Sequence, residues 1–191
     1  MHTLQSMLMP ASRPLQPTLW RTCRALANRT RLDMLSLLLK EPGLRVSAVA
    51  QRLDLPLPVT SQSLRALEAR GLLIARRSGR WVHYEPAPAQ AGGPAAELLE
   101  ALRPVFQRKA RPQEKLFKLA AAFTHPRWLE IFRALQQQKQ TFAQLKRATR
   151  LSTWALRRHL RKLEQRGFVV HEQSLYSAVV AEGAVGRTLA R

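Results

Sequence analysis

Cysteine is almost missing from this chain. Its 191 residues hold one, Cys23, so no intrachain disulfide and no Cys-x-x-Cys metal pair can form. Acidic residues are also scarce, 12 against 32 lysines and arginines. The few carboxylates are scattered, and neither a glycine-rich phosphate loop nor a Ser, His and Asp arrangement stands out. The sequence therefore reads as no enzyme, with no cofactor and no metal. No apolar run approaches the roughly 20 residues of a membrane-spanning helix. The stretch from Met1 to Pro17 lacks the basic start and apolar body of a signal peptide. These absences predict a cytoplasmic chain with no membrane partner. Aromatics make up 6% and form no strand pairs of the kind that stack RNA bases.

Positive charge is what the chain has most of. Its formal net charge is +20. Residues 1–90 hold 13 basic against 5 acidic side chains, and residues 91–191 hold 19 against 7. Both halves are basic, so the charge is not one tail on a neutral domain. Such a field favours a polyanion, either nucleic acid or an anionic membrane. A GC-rich genome also enriches arginine and alanine, which accounts for part of the excess. Apolar residues make up 46%, enough for a packed core in one or two small domains.

Helical spacing recurs along the first half. Leu19, Cys23 and Leu26 lie on one stripe of a helix from Leu19 to Ala27. Cys23 thus reads as core, whereas a redox-sensing thiol needs exposure and a nearby cation. A second helix spans Arg29 to Lys40 and stops at Glu41-Pro42-Gly43. Val46, Val49, Ala50 and Leu53 mark a short third. The fourth, Val59 to Gly71, puts Thr60, Leu64 and Leu67 on one face and Ser61, Gln62 and Arg65 on the other. Pro58 suits its first turn and Gly71 its stop. The period then changes. Leu72 to Arg76 and Trp81 to Glu85 read as strands around Gly79. Three helices and a basic hairpin give the winged helix-turn-helix order, in which a braced recognition helix enters the major groove.

The residues resemble one family in particular. Asn28-Arg29-Thr30-Arg31-Leu32 is similar to the Asp-Pro-x-Arg-Leu helix start of the ArsR family. Val46 to Ala50 resembles that family's third helix, Ser61 to Leu72 its recognition helix and stop, and Gly79 to Tyr84 its wing. The resemblance covers about residues 19–86. It implies a transcription repressor, often dimeric and often released by metal. The chain departs from the metal-sensing pattern, with no cysteine in the third helix and no paired His and carboxylate set in a later one. The resemblance thus implies DNA binding without metal sensing.

A second copy follows. Pro86 to Pro94 reads as a linker, and a helix from about Ala95 carries Leu98, Leu102 and Phe106 on a stripe. Pro104 is expected to kink or split it. In the family, a helix after the wing pairs with the first helix to form the dimer. The stripe therefore serves either a dimer contact or an interdomain contact. Shifting the first helix by 97 residues places Leu19-Trp20-Arg21 on Leu116-Phe117-Lys118, and Asn28 on His125. After one deletion the shift is 96, and Leu64 to Gly71 falls on Leu160 to Gly167. The second recognition helix spans about Ser152 to Arg166, with Arg157, Arg158, Arg161 and Lys162 outward. His159 reads as a structural or phosphate contact, and Trp154 is expected to be buried under the wing. A weaker wing, without arginine, is expected from Phe168 to His171 and Leu175 to Ala178.

The expected fold is mainly α with small β-hairpin wings, a tandem winged helix-turn-helix. The expected division is an irregular segment at 1–16 and a first winged helix domain at 17–86. A linker with a connecting helix follows at 87–111, then a second winged helix domain at 112–180 and a loose tail at 181–191. The expected function is sequence-specific binding to double-stranded DNA as a transcription regulator, with repression implied by the family. Phosphate contacts are assigned to Arg76, Arg77, Arg80, Arg157, Arg158 and Lys162. Base readout is assigned to Ser61, Gln62, Arg65, Arg157 and Arg161. A homodimer and a monomeric pseudo-dimer both remain open. The alternative is a tandem winged-helix scaffold for protein partners, which needs an exposed apolar stripe at Leu98, Leu102 and Phe106.

Overall fold

A computed structural model describes residues 18–107, 113–179 and 184–190. The segment expected to be irregular, 1–16, lies outside the described residues, as do 108–112 of the connector and 180–183 and 191 around the tail.

The first half runs α1 (Leu19–Leu26), α2 (Arg29–Lys40), β1 (Leu44–Arg45), α3 (Val46–Arg52), α4 (Leu57–Glu68), β2 (Leu73–Ser78) and β3 (Trp81–Pro86). Asn28 starts α2 because its side chain accepts the Arg31 N–H at 2.9 Å, filling one of the helix's open donors. Pro58 falls in the first turn of α4. Gly71 follows its end at φ +69°, a conformation that side chains with a Cβ resist, and turns the chain into β2. Strand β1 is only two residues long and shows no alternation for a sequence reading to find. It pairs with β3, giving a three-stranded antiparallel sheet in the order β1-β3-β2.

The second half repeats that order with α6 (Gln113–Ala122), α7 (Pro126–Gln137), β4 (Gln140–Thr141), α8 (Phe142–Thr149), α9 (Thr153–Gln165), β5 (Val169–Glu172) and β6 (Leu175–Ala178). Its sheet has the matching order β4-β6-β5. His125 takes the place of Asn28 and accepts the Arg127 N–H at 3.1 Å. Each sheet is followed by a helix, α5 (Gly93–Gln107) and α10 (Ala184–Ala190). Helix α5 is not split at Pro104. The proline lies near the C-terminal end, so the helix forfeits one hydrogen bond, to the Glu100 carbonyl, and continues for its last turn. The loose tail expected from Ala181 is instead helical over 184–190. Its Val185 is buried, and α10 docks on α5 and α7.

Both halves share one hydrophobic core. Helix α1 packs on α6, its equivalent in the repeat, and α5 packs on α10, so like meets like where the halves join. Leu98, Leu102 and Phe106 are each 1% exposed and belong to this shared core. At one edge Arg29 pairs with Glu114 at 2.8 Å, and its guanidinium lies 4.2 Å from the Phe117 ring. Where the halves meet, Trp20 of α1 and Pro126 of α7 line one surface depression together.

Candidate nucleic-acid interface

Helix α4 is amphipathic as expected. Thr60, Leu64 and Leu67 are fully buried, and the Thr60 hydroxyl donates to the Pro56 carbonyl at 3.1 Å. Gln62 and Arg65 are exposed and Ser61 is half-buried, so this face is open to a ligand. Helix α3 packs against α4 as its brace.

On the first wing, Arg76 and Arg77 sit within strand β2 and Arg80 lies in the turn, where Gly79 takes φ +57°. Arg76 is ion-paired with Glu85 on the adjacent strand, so part of its charge is already answered. Arg77 and Arg80 are exposed. Trp81 is exposed and has two guanidiniums near its ring centre, Arg45 at 4.6 Å and Arg80 at 5.7 Å. Arg45 is absent from the expected contacts. Its one signal in the sequence is its place just before α3, and its approach to the wing depends on the β1–β3 pairing that the sequence hides.

Helix α9 starts at Ser152, whose hydroxyl accepts the Ala155 N–H at 3.2 Å. Leu156, Leu160 and Leu163 are buried, while Arg158, Arg161 and Lys162 are exposed, and so is Arg157. The expected burial of Trp154 is wrong: it is 69% exposed, with Arg158 4.7 Å from its ring centre. The second wing is too short to cover it, since its strands have four residues each. That wing turns at Gln173 and Ser174, both at positive φ.

His159 is a structural residue. It is buried, and its Nδ1 accepts the Trp128 indole N–H at 2.8 Å, which ties α9 to α7. Its ring centre lies 5.1 Å from that of His125. Burial lowers the pKa of both imidazoles, and Arg158, Arg127 and Lys162 lower them further; His159 also feels His125. Both rings are therefore held neutral, each accepting at Nδ1.

Two other expectations concern chemistry away from this face. Cys23 is fully buried, and burial pushes its thiol up to about 12. Leu98, Leu102 and Phe106 offer no exposed stripe to a partner protein. Among the described residues no three His, Cys, Asp or Glu side chains cluster as metal ligands, and no helix is long and apolar enough to cross a membrane.

Known proteins resemble both halves. Residues 28–74 match a family model of winged helix-turn-helix DNA-binding domains, and residues 125–170 match that of bacterial regulatory proteins of the arsR family. The arsenical resistance operon repressor of Escherichia coli K12 is 36% identical over 80 residues, which are 42% of this chain and 68% of that protein. An arsenic resistance transcriptional regulator of Pseudomonas putida is 37% identical over 65 residues, 34% of this chain and 51% of that one. The solution structure of a homodimeric winged helix-turn-helix DNA-binding domain from Mycobacterium bovis, a possible ArsR-family regulator, has 30% identity. It aligns with a TM-score of 0.41 over 55% of this chain and 94% of that one.

Proposed function

The chain belongs to the ArsR family of bacterial regulatory proteins, helix-turn-helix DNA-binding transcription regulators, and we propose that it is a repressor that reads one operator with both halves of a single chain. The observation that carries this reading is the pairing of equivalent helices, α1 with α6 and α5 with α10. A dimer of separate chains makes such a pairing between two copies; this chain makes it internally, as a monomeric pseudo-dimer. The two reading units are residues 17–86 and 112–180. Base edges are read by Ser61, Gln62 and Arg65 on α4 and by Arg157 and Arg161 on α9. Arg76, Arg77, Arg80, Arg157, Arg158 and Lys162 hold phosphates. Repression follows from occlusion of a promoter, and the protein acts in the cytoplasm without catalysis.

We also propose that metal does not release it. The two curated relatives are named for arsenic resistance. Arsenite seeks thiolates, and the one thiol here is fully buried and kept protonated well above neutral pH. Arsenite added to the protein–operator complex is expected to leave it intact.

The test of double reading is a set of three variants titrated against a duplex that the wild-type chain selects from a random-sequence pool. Arg65→Ala and Arg161→Ala should each cost about 1–3 kcal/mol of specific binding, and the pair should cost close to the sum. A double variant no weaker than one single would mean that only one helix reads bases. Sedimentation at micromolar protein should give the mass of one chain, and a two-chain mass would overturn the pseudo-dimer.

A further inference from the structure

The first half carries a depression of about 560 Å³, within the size range of small-ligand sites. Four arginines line it: Arg21, Arg24 and Arg31 from α1 and α2, and Arg70 just beyond α4. Trp20 supplies an aromatic wall, and the small side chains of Ala66 and Ala69 leave the space open. Arg31 is already engaged. It donates to the Ala25 carbonyl and, at 3.3 Å, to the Arg24 carbonyl, and burial lowers its pKa. Arg24 and Arg70 take no part in the ion pairs Arg29–Glu114, Arg52–Glu41, Arg76–Glu85, Arg103–Glu100 and Arg127–Glu130, and Arg21 lies over the Trp20 ring. A concave site lined by several guanidiniums concentrates anions.

The second half shows that this space is not a by-product of the fold. There the repeat puts Trp128 in place of Arg31, Lys162 in place of Ala66 and Gln165 in place of Ala69. Trp128 is buried. Arg166, the equivalent of Arg70, lies 4.5 Å from its ring centre and donates to the Ala121 carbonyl at 2.5 Å. The equivalent space is filled from within.

We propose that the first-half depression binds a flat, ring-bearing dianion, such as an aromatic dicarboxylate or an aryl phosphate. Arg24 and Arg70 take the two charged groups through charge-assisted hydrogen bonds. The ring stacks on Trp20, whose indole Arg21 approaches to 5.1 Å. The occupant touches α1 and the end of the recognition helix α4 together, so it stiffens the angle between them.

Titration calorimetry of the full chain with phthalate, at about 0.15 M salt to screen diffuse attraction, tests this. One saturable site per chain is expected. Succinate, with the same charge and no ring, should bind roughly threefold to tenfold more weakly, the usual worth of a ring contact. Arg24→Gln with Arg70→Gln should abolish the site. Lys146→Gln with Arg147→Gln, an equal loss of charge on α8, should leave it unchanged. Trp20→Leu should erase the preference for phthalate over succinate. Absence of phthalate binding, many unsaturable sites, or equal behaviour of the two double variants would overturn the proposal. So would stoichiometric displacement of phthalate by a DNA duplex whose affinity falls in Arg24→Gln/Arg70→Gln, since these arginines would then be a backbone contact.

Discussion

In the first half Arg31 turns its guanidinium onto the carbonyls at the end of α1; in the second half Trp128 stands in that place, with Arg166 against its indole. Asn28 caps α2 with an amide, while His125 caps α7 with an imidazole. The first wing carries Arg76, Arg77 and Arg80; the second carries no arginine over Val169–Ala178. The apolar positions of the two copies correspond helix by helix, and the sheets share one topology. Apart from the buried Trp128 and His159, what differs lies outside the shared apolar pattern. One fold thus presents two chemically distinct faces, because packing constrains the inward positions far more than the outward ones.

The largest expected effect concerns what the halves share. Phe106→Ala removes a fully buried ring from the common core and should cost about 3–5 kcal/mol. Because the core is continuous, urea should unfold both halves in one transition, in wild type and variant alike. Two resolved transitions would mean that the halves are separate bodies.

Next comes the wing contrast. Arg77→Ala with Arg80→Ala should lower the salt slope of duplex binding by nearly two units, at about 0.9 for each phosphate no longer neutralised. Alanine at His171 and Gln173 on the second wing should leave the slope alone. Equal slopes for both wing variants would erase the proposed difference.

The histidine cap sharpens the comparison by pH. The unfolded chain protonates its imidazoles near pH 6.5, whereas His125 and His159 in the folded chain resist protonation. Their contribution to stability is therefore complete above about pH 6.5 and is lost as pH falls from there through their lowered folded values. Protonation of His159 also removes the acceptor for the Trp128 indole. His125→Asn, the cap used in the first half, combined with His159→Gln should flatten the loss below about pH 6.5. An unchanged decline in urea midpoints would place its origin elsewhere. The smallest expected effect is none at all: a thiol reagent at pH 8 should leave Cys23 untouched in the folded chain and label it in urea.

The helices and the repeat are legible in the sequence because burial imposes a period. Leu64 and Leu67 recur as Leu160 and Leu163, and all four are buried. The features that escape a sequence reading have no period to impose. Strands β1 and β4 are two residues long, and their pairing is a tertiary fact. The apolar character of Trp154 predicts burial, yet its position in α9 faces outward and the short second wing leaves it there. The Arg76–Glu85 pair needs the strand register, which a sequence does not display. Helix α10 is seven residues long, and its buried Val185 finds partners only through the docking of α10 on α5 and α7. The four arginines around Trp20 are separated by up to 49 positions and meet only through packing of α1, α2 and α4.

The joining of α1 to α6 within one polypeptide has a consequence for how the protein sits in a cell. Two identical chains separate on dilution, so their paired state depends on how many copies are present. A tethered pair meets at a fixed effective concentration, and a handful of molecules stay as fully assembled as a large pool. A symmetric pair also meets its site equally well turned end for end. The outward residues of α4 and α9 differ, so on the proposed double reading this pair would have a front and a back, and an asymmetric operator would set the direction in which it points along the DNA.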